Sequence, residues 1–256
     1  MNNKSTDKTI LITRSKEESQ KDFVEIEKRG AKVIYYPTIE ASPIFSKEFD
    51  NHLSNIKSFD YIIFTSKNSV KFFLERVTDL GLHPDYSKIR IVATGNKTAD
   101  LLSYNGITVD LTPQKYSAEG VLELLQNCSL NNKNVLIPCS AIARNELSIG
   151  LKTMNANVYN IPIYEISLPE KYELTPETKY IKEHQIDIFA FTSPSSFNNY
   201  ELIFEIENTA SYFKNKTIVA IGETTAQAIM DKGIKVDIIP TKFNVEALAS
   251  AILKIL

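Results

Sequence analysis

Apolar residues fall along this chain in two rhythms. Short unbroken runs, TILI at 9–12, KVIYY at 32–36, YIIFTS at 61–66 and IRIVATG at 89–95, alternate with stretches whose apolar positions recur every three or four residues. Runs of that length bounded by turn residues predict strands buried on both faces, and the slower recurrence predicts helices with one apolar face. A helix over roughly 16–29 turns Phe23 and Ile26 inward and stops at Gly30, because glycine takes the left-handed terminal conformation without strain. The helix after YIIFTS carries Val70, Phe73, Leu74 and Val77 on one face. A helix after IRIVATG ends at Gly106, ITVDL at 107–111 predicts a further strand, and Ser117 opens a helix with Val121, Leu124, Leu125 and Cys128 inward.

The same order then repeats. IVATGNKTADLLSYNGITVDLTP begins at Ile91 and IVAIGETTAQAIMDKGIKVDIIP at Ile218, 127 residues later. NVLIP at 134–138 matches TILIT, VYNIPIYEI at 158–166 matches VIYYPTIEA, and DIFAFTS at 187–193 matches DYIIFTS. The turn chemistry repeats as well: Asn155 stands where Gly30 was, and Asn also tolerates the left-handed cap. Gly222, Gly233 and Pro240 correspond to Gly95, Gly106 and Pro113. Strands alternating with helices of this length imply parallel sheets covered on both faces, hence an α/β fold of two doubly wound lobes. In such sheets a ligand is expected outside the carboxyl ends of the strands.

Composition narrows the function. The 256 residues are 43% hydrophobic and 23% charged, enough for a real core, and the net charge of −2 offers no basic field for nucleic acid or a membrane. Cys128 and Cys139 form no C-x-x-C pair, and His52, His83 and His184 lack metal-ligand spacing, so no metal is expected and the histidines are read as surface or loop residues. MNNKSTDKTILI lacks a leader's apolar core, and no apolar run approaches the roughly 20 residues that span a bilayer, which makes the cytoplasm the expected location.

The polar turns at the strand ends are the candidate site. FTSKNS (64–69) and FTSPSS (191–196) each lead from a strand into a helix, as do GNKT (95–98) and GETT (222–225). Ser193 before Pro194 is a good helix cap, Ser66 holds the same place, and Ser117 and Asn244 cap a third pair. Helix starts expose unpaired N–H groups and the positive end of the dipole, so several together bind carboxylates or phosphates without net basic charge. Hydroxyls of Thr65, Ser66, Thr98, Ser193, Thr224 and Thr225 add donors. Each alone is explained as a cap contributing about 1 kcal/mol; the recurrence of polar turns on the same edge in both copies favours binding. Arg14 ends the first strand and has no counterpart, Cys139 standing in its place; it grips a carboxylate or is a solvated surface residue, and the residues alone leave both open. Tyr164, one of twelve tyrosines, reads on sequence alone as structural. TRSKEES has no glycine fingerprint for a dinucleotide, and there is neither a Walker A sequence nor a G-x-S-x-G elbow.

A duplicated α/β chain with ITRS (12–15), FTS-x-x-S, IVATG-x-x-T-A, IPIYE (161–165) and IVAIG-x-T-T-A in this order resembles the uroporphyrinogen-III synthase family over essentially its whole length. Ser15 departs from the proline common there. The resemblance implies two flavodoxin-like lobes, one of 1–37 plus 166–256 and one of 41–161, joined by connectors 37–41 and 161–166 that pair as a short two-stranded linker. It implies closure of hydroxymethylbilane to uroporphyrinogen III with loss of water and inversion of ring D through a spiro intermediate, without a cofactor. Tyr164 is then the candidate acid, with Arg14, Thr65, Ser66, Thr98, Ser193, Thr224 and Thr225 on the substrate's eight carboxylates. The implied partner is the tetrapyrrole substrate, bound by a monomer in transient contact with the preceding pathway enzyme. Two rivals are a two-lobed small-anion binding or sensor protein without catalysis, and an FMN protein that would purify yellow.

Overall fold

The structure is a computed structural model describing residues 7–170 and 172–256; residues 1–6, part of the stretch read for a leader, lie outside the described residues. In chain order the elements are β1 (Thr9–Ile12), α1 (Lys16–Lys28), β2 (Lys32–Tyr35), β3 (Glu40–Pro43), α2 (Lys47–Ser54), β4 (Tyr61–Phe64), α3 (Lys67–Asp79), β5 (Arg90–Ala93), α4 (Asn96–Tyr104), α5 (Ala118–Leu125) and β6 (Asn134–Ser140). There follow α6 (Glu146–Thr153), β7 (Asn157–Ser167), α7 (Pro176–Glu183), β8 (Ile188–Phe191), α8 (Pro194–Ile203), α9 (Thr209–Tyr212), β9 (Thr217–Ala220), α10 (Glu223–Met230) and α11 (Val245–Leu253). The chain divides into two compact units, Met1–Glu40 with Ser167–Leu256, and Ala41–Ile166.

The first unit holds a four-stranded sheet in the order β2-β1-β8-β9. Its pairings are parallel throughout, Thr9 beside Lys32 and Ile188 beside Thr217. Alternate residues face opposite ways along a strand. Leu11, Phe189 and Phe191 therefore join the core under α7, α8 and α10, whereas Ile10, Ile12, Ile188 and Ala190 join Phe23, Ile26, Leu248 and Ile252 of α1 and α11. The second unit holds a five-stranded sheet, β3-β7-β6-β4-β5. Ile62 and Phe64 face Phe49, Val70, Phe73 and Leu102 on one side, while Tyr61 and Ile63 face Val121, Leu125, Leu147 and Leu151 on the other.

The two sheets repeat one plan. Matched by the sequence repeat, β6, β7, β4 and β5 play the parts of β1, β2, β8 and β9, so each sheet joins the opening βαβ of one copy to the later strands of the other. The elongated β7 continues past that plan and carries β3 along its edge, with the Ile44 N–H donating to the Ile163 carbonyl at 2.9 Å. Gly30 and Asn155 both adopt positive φ, 89° and 58°, at the equivalent helix ends, as the sequence predicts.

The strand predicted at ITVDL does not form a ladder. It makes a single bridge, Val92 to Leu111, and the second copy does the same with Val219 and Ile238. An aspartate is the reason. Asp110 Oδ2 accepts the Ile91 N–H at 2.7 Å, and Asp237 Oδ2 accepts the Ile218 N–H at 2.9 Å. A carboxylate thus takes donors that a longer strand would have bonded through its carbonyls, and it blunts the sheet edge with charge. Another prediction also needs correcting: His83 and His184 are exposed, but His52 sits half-buried in α2, edge-on to Phe59 and Tyr159 at 5.4 and 5.1 Å.

A second pair of aspartates ties neighbouring strands at the opposite, amino-terminal edge. Asp60 accepts the Asn134 N–H at 2.9 Å and the Lys133 ammonium at 2.7 Å; Asp187 accepts the Thr9 N–H at 2.8 Å and Lys8 at 3.2 Å. Burial by itself would raise the Asp60 carboxyl, but the bonds from Lys133 and Asn134, with the lysine charge, outweigh it and hold the group below the usual carboxylate range. A carboxylate held low contributes stability that is present above its unfolded pKa of about 3.9 and is lost as pH falls through the lower folded value. We therefore expect Asp60→Ala to cost about 1–2 kcal/mol at pH 7, the partial exposure of the pair trimming the value. In urea titrations the gap to the parent chain should close only below about pH 4; a gap independent of pH would refute this account.

Candidate functional site

The carboxyl edge of each sheet gathers the polar turns. In the second unit β4 and β5 are parallel neighbours, so Thr65 and Ser66 beyond β4 emerge beside the GNKT turn beyond β5. Ser66 is extended, φ −158°, and caps α3: its hydroxyl accepts the Ser69 N–H at 3.0 Å, while Ser69 Oγ accepts the Ser66 N–H at 3.2 Å. This reciprocal pair makes sense of the repeated FTS-x-x-S, whose last serine has no evident role in the sequence alone. In the first unit Ser193 and Ser196 form the same reciprocal cap on α8, at 2.9 and 3.0 Å.

Tyr164 comes to the same cap from a distant part of the chain. Its phenolic oxygen lies 3.0 Å from Ser66 Oγ, across 98 residues of sequence, and either oxygen can donate. The ring stacks on Phe72 of α3 at 5.4 Å with 21° between planes, and only 6% of the residue is exposed. A break in strand register between Cys139 and Ser140 precedes the pairing of Ser140 with Tyr164. Such irregularities re-aim side chains near functional sites. The structural reading of Tyr164 and the functional one therefore meet: the ring is core, and the hydroxyl is held at a helix N-terminus, where negative charge is stabilised.

The other site residues divide by burial. Thr65 and Thr224 are exposed, whereas Thr98 and Thr225 are buried, at 6% and 3%, as the third residues of α4 and α10. Gly95 and Gly222 cap those helices without a side chain, which leaves the first N–H groups open. Arg14 follows β1, and its Nε donates to Glu18 at 2.9 Å in an exposed pair along α1. Ser15 caps α1 in extended conformation without a side-chain bond. Thus β1, β8 and β9, neighbours in one sheet, end in Arg14, Ser193 and the pair Thr224 and Thr225.

Sequence reasoning missed Thr13. It is 4% exposed, donates to Ser196 Oγ at 3.0 Å, and accepts the Thr192 N–H at 3.1 Å. The Thr192 hydroxyl returns a bond to the Thr13 carbonyl at 3.0 Å. This knot clamps the β1 turn to the β8 turn and so sets where Arg14 and Ser193 stand. Only its place between ITRS and FTSPSS could have marked it in the sequence. Among the described residues, no group of three or more His, Cys, Asp or Glu is arranged to hold a metal, and no helix is long and apolar enough to cross a membrane.

Residues 21–250 match the family model described as uroporphyrinogen-III synthase HemD. The chain belongs to the uroporphyrinogen-III synthase family. It is 30% identical over 250 residues to the uroporphyrinogen-III synthase of Chlorobaculum parvum, covering 96% of this chain and 98% of that one. Its fold is similar to the crystal structure of the Helicobacter pylori enzyme, TM-score 0.65 at 21% identity, over 97% of this chain and all of that one. It is also similar to a mutant of the Thermus thermophilus enzyme, TM-score 0.59 at 15% identity, over 96% and 98% of the two chains. As a family member the chain is a cyclising lyase of haem and tetrapyrrole biosynthesis, and its substrate is a small tetrapyrrole. The α/β reading with parallel sheets holds.

Proposed function

We propose that this chain closes hydroxymethylbilane to uroporphyrinogen III, with Tyr164 assisting departure of the hydroxyl and the strand-end turns binding the substrate's carboxylates. The observation that carries the reading is the Tyr164 hydroxyl held 3.0 Å from Ser66 at the start of α3, beside the open N–H groups of α4. Proton donation from the phenol to the ring A hydroxyl releases water and leaves an electrophilic azafulvene. Ring D attacks that carbon through its own substituted position, giving a spiro intermediate that fragments and recloses with the ring reversed. The proton lost on rearomatisation returns to the phenolic oxygen, so the net change is loss of one water.

These steps need a folded substrate and a proton source rather than a nucleophile. Holding the reacting carbons together can lower such a barrier by several kcal/mol, roughly 7–11 at best. In this reading the hydroxyls and N–H groups of Thr65, Ser66, Thr98, Ser193, Thr224 and Thr225, with the Arg14 guanidinium, bind acid groups of the substrate. Hydroxymethylbilane closes by itself to isomer I, so a short-lived supply suits the enzyme: in this reading it is a cytoplasmic monomer that takes substrate in transient contact with the preceding enzyme.

The test is to add hydroxymethylbilane to the purified chain and separate the products by isomer. Isomer III in excess of the spontaneous isomer I is expected. Isomer I alone, at the uncatalysed rate, would overturn the proposal.

A further inference from the structure

Each unit exposes one large aromatic ring at its carboxyl edge. Tyr116 is 59% exposed and Phe243 is 64% exposed, and they are equivalent in the repeat, 127 residues apart. Each immediately precedes a helix cap, Ser117 of α5 and Asn244 of α11. Each lies against the glycine that opens the neighbouring helix: a Cβ at Gly95 would meet Tyr116 Cγ at 3.1 Å, and one at Gly222 would meet Phe243 Cγ at 3.2 Å. Neither glycine is required by its own backbone, since φ is −164° and −171°, extended values open to any residue. Close approach of the ring is what keeps these positions bare.

The glycine–ring pair was kept in both copies while its surroundings changed. Gln114 became Thr241, Ser117 became Asn244, and Gly120 became Ala247. An aliphatic side chain could cover the glycine equally well, and an aromatic left more than half exposed keeps apolar surface in water. A flat π-face beside open helix N–H groups instead fits a ligand that joins flat rings to acid arms.

We infer that Tyr116 and Phe243 are stacking platforms for pyrrole rings of the substrate, a role that rests on the function proposed above. Pyrroles are electron-rich flat rings, and offset or edge-on aromatic pairs add to area burial. The substrate's acid arms would then fall toward the starts of α4 and α10, one residue beyond each glycine. An aromatic face also attracts cationic charge, which develops on the azafulvene as water leaves.

The experiment compares Tyr116→Leu and Phe243→Leu with the conservative Tyr116→Phe and Phe243→Tyr, and with Tyr104→Leu as a control at an 88% exposed aromatic away from this edge. Each leucine variant should raise KM for hydroxymethylbilane about tenfold, the usual scale for removing one stacked ring. The thermal midpoint should stay unchanged, and the conservative variants and the control should keep the parent KM. Because the chain contains no tryptophan, Phe243→Trp adds a single emitter whose fluorescence should change on adding uroporphyrinogen III. Unaltered KM in both leucine variants, or tryptophan emission indifferent to product, would overturn the stacking role. Failure of the parent chain to make isomer III would instead sink the function it rests on.

Discussion

Tyr164→Phe is expected to lower kcat for isomer III by about 100-fold, the lower end of what a positioned general acid contributes. KM should hardly move, and the thermal midpoint should fall by only about 2–4 °C. The geometry separates the two roles of this side chain. The ring, stacked on Phe72 and 6% exposed, is kept by phenylalanine; the oxygen 3.0 Å from Ser66 Oγ is removed. Loss of that one hydroxyl contact costs about 1 kcal/mol of stability, and the Ser66 hydroxyl still caps α3 through the Ser69 N–H. A proton donor lost from the reacting centre costs far more in rate than a hydrogen bond lost from a fold. Steady-state kinetics with separation of the isomers decides the matter: unchanged turnover would remove Tyr164 from the mechanism and leave it as core.

Phe191→Ala should be the most destabilising of the substitutions considered, at about 3–5 kcal/mol. Phe191 ends β8, is fully buried, and meets Phe197, Phe213 and Tyr200 at centroid distances of 5.1, 5.8 and 5.9 Å. Removing it opens a cavity among rigid rings that cannot collapse inward. The effect reaches the site as well, because Phe191 directly precedes Thr192, which Thr13 clamps, and Ser193. Urea denaturation should show the loss, and a cost under about 1 kcal/mol would mean that this core relaxes far more than its packing implies. The pH-dependent cost at Asp60 is smaller, since that pair is partly in water.

Much of this molecule was legible beforehand, for reasons that can be named residue by residue. Ser66, Ser193, Ser117 and Asn244 read as helix caps from their place before an apolar recurrence, and each accepts the N–H three residues on. Gly30 and Asn155 read as helix ends because few residues tolerate positive φ. The ITVDL strand failed because its alternation suits a strand while Asp110 competes for the neighbouring N–H. Alternation alone cannot separate those outcomes. His52 reads as a surface or loop residue because nothing local shows that Phe59 and Tyr159 pack against it.

The amino-acid sequence by itself determined most of the strands and helices, which face of each is apolar, and that the plan occurs twice, because those properties depend on residues within a few positions of each other. Only the tertiary structure decided which copy's strands share a sheet. β1 lies between β2, from its own copy, and β8, whose paired residues are about 180 positions away, and the local pattern is identical whichever partner is chosen. The meeting of Tyr164 with Ser66, and of the Tyr116 and Phe243 rings with their glycines, belongs to the same class. Such contacts form only when burial of both sheet faces offsets the entropy of closing long loops, and that balance is struck by the whole fold rather than by any stretch of it.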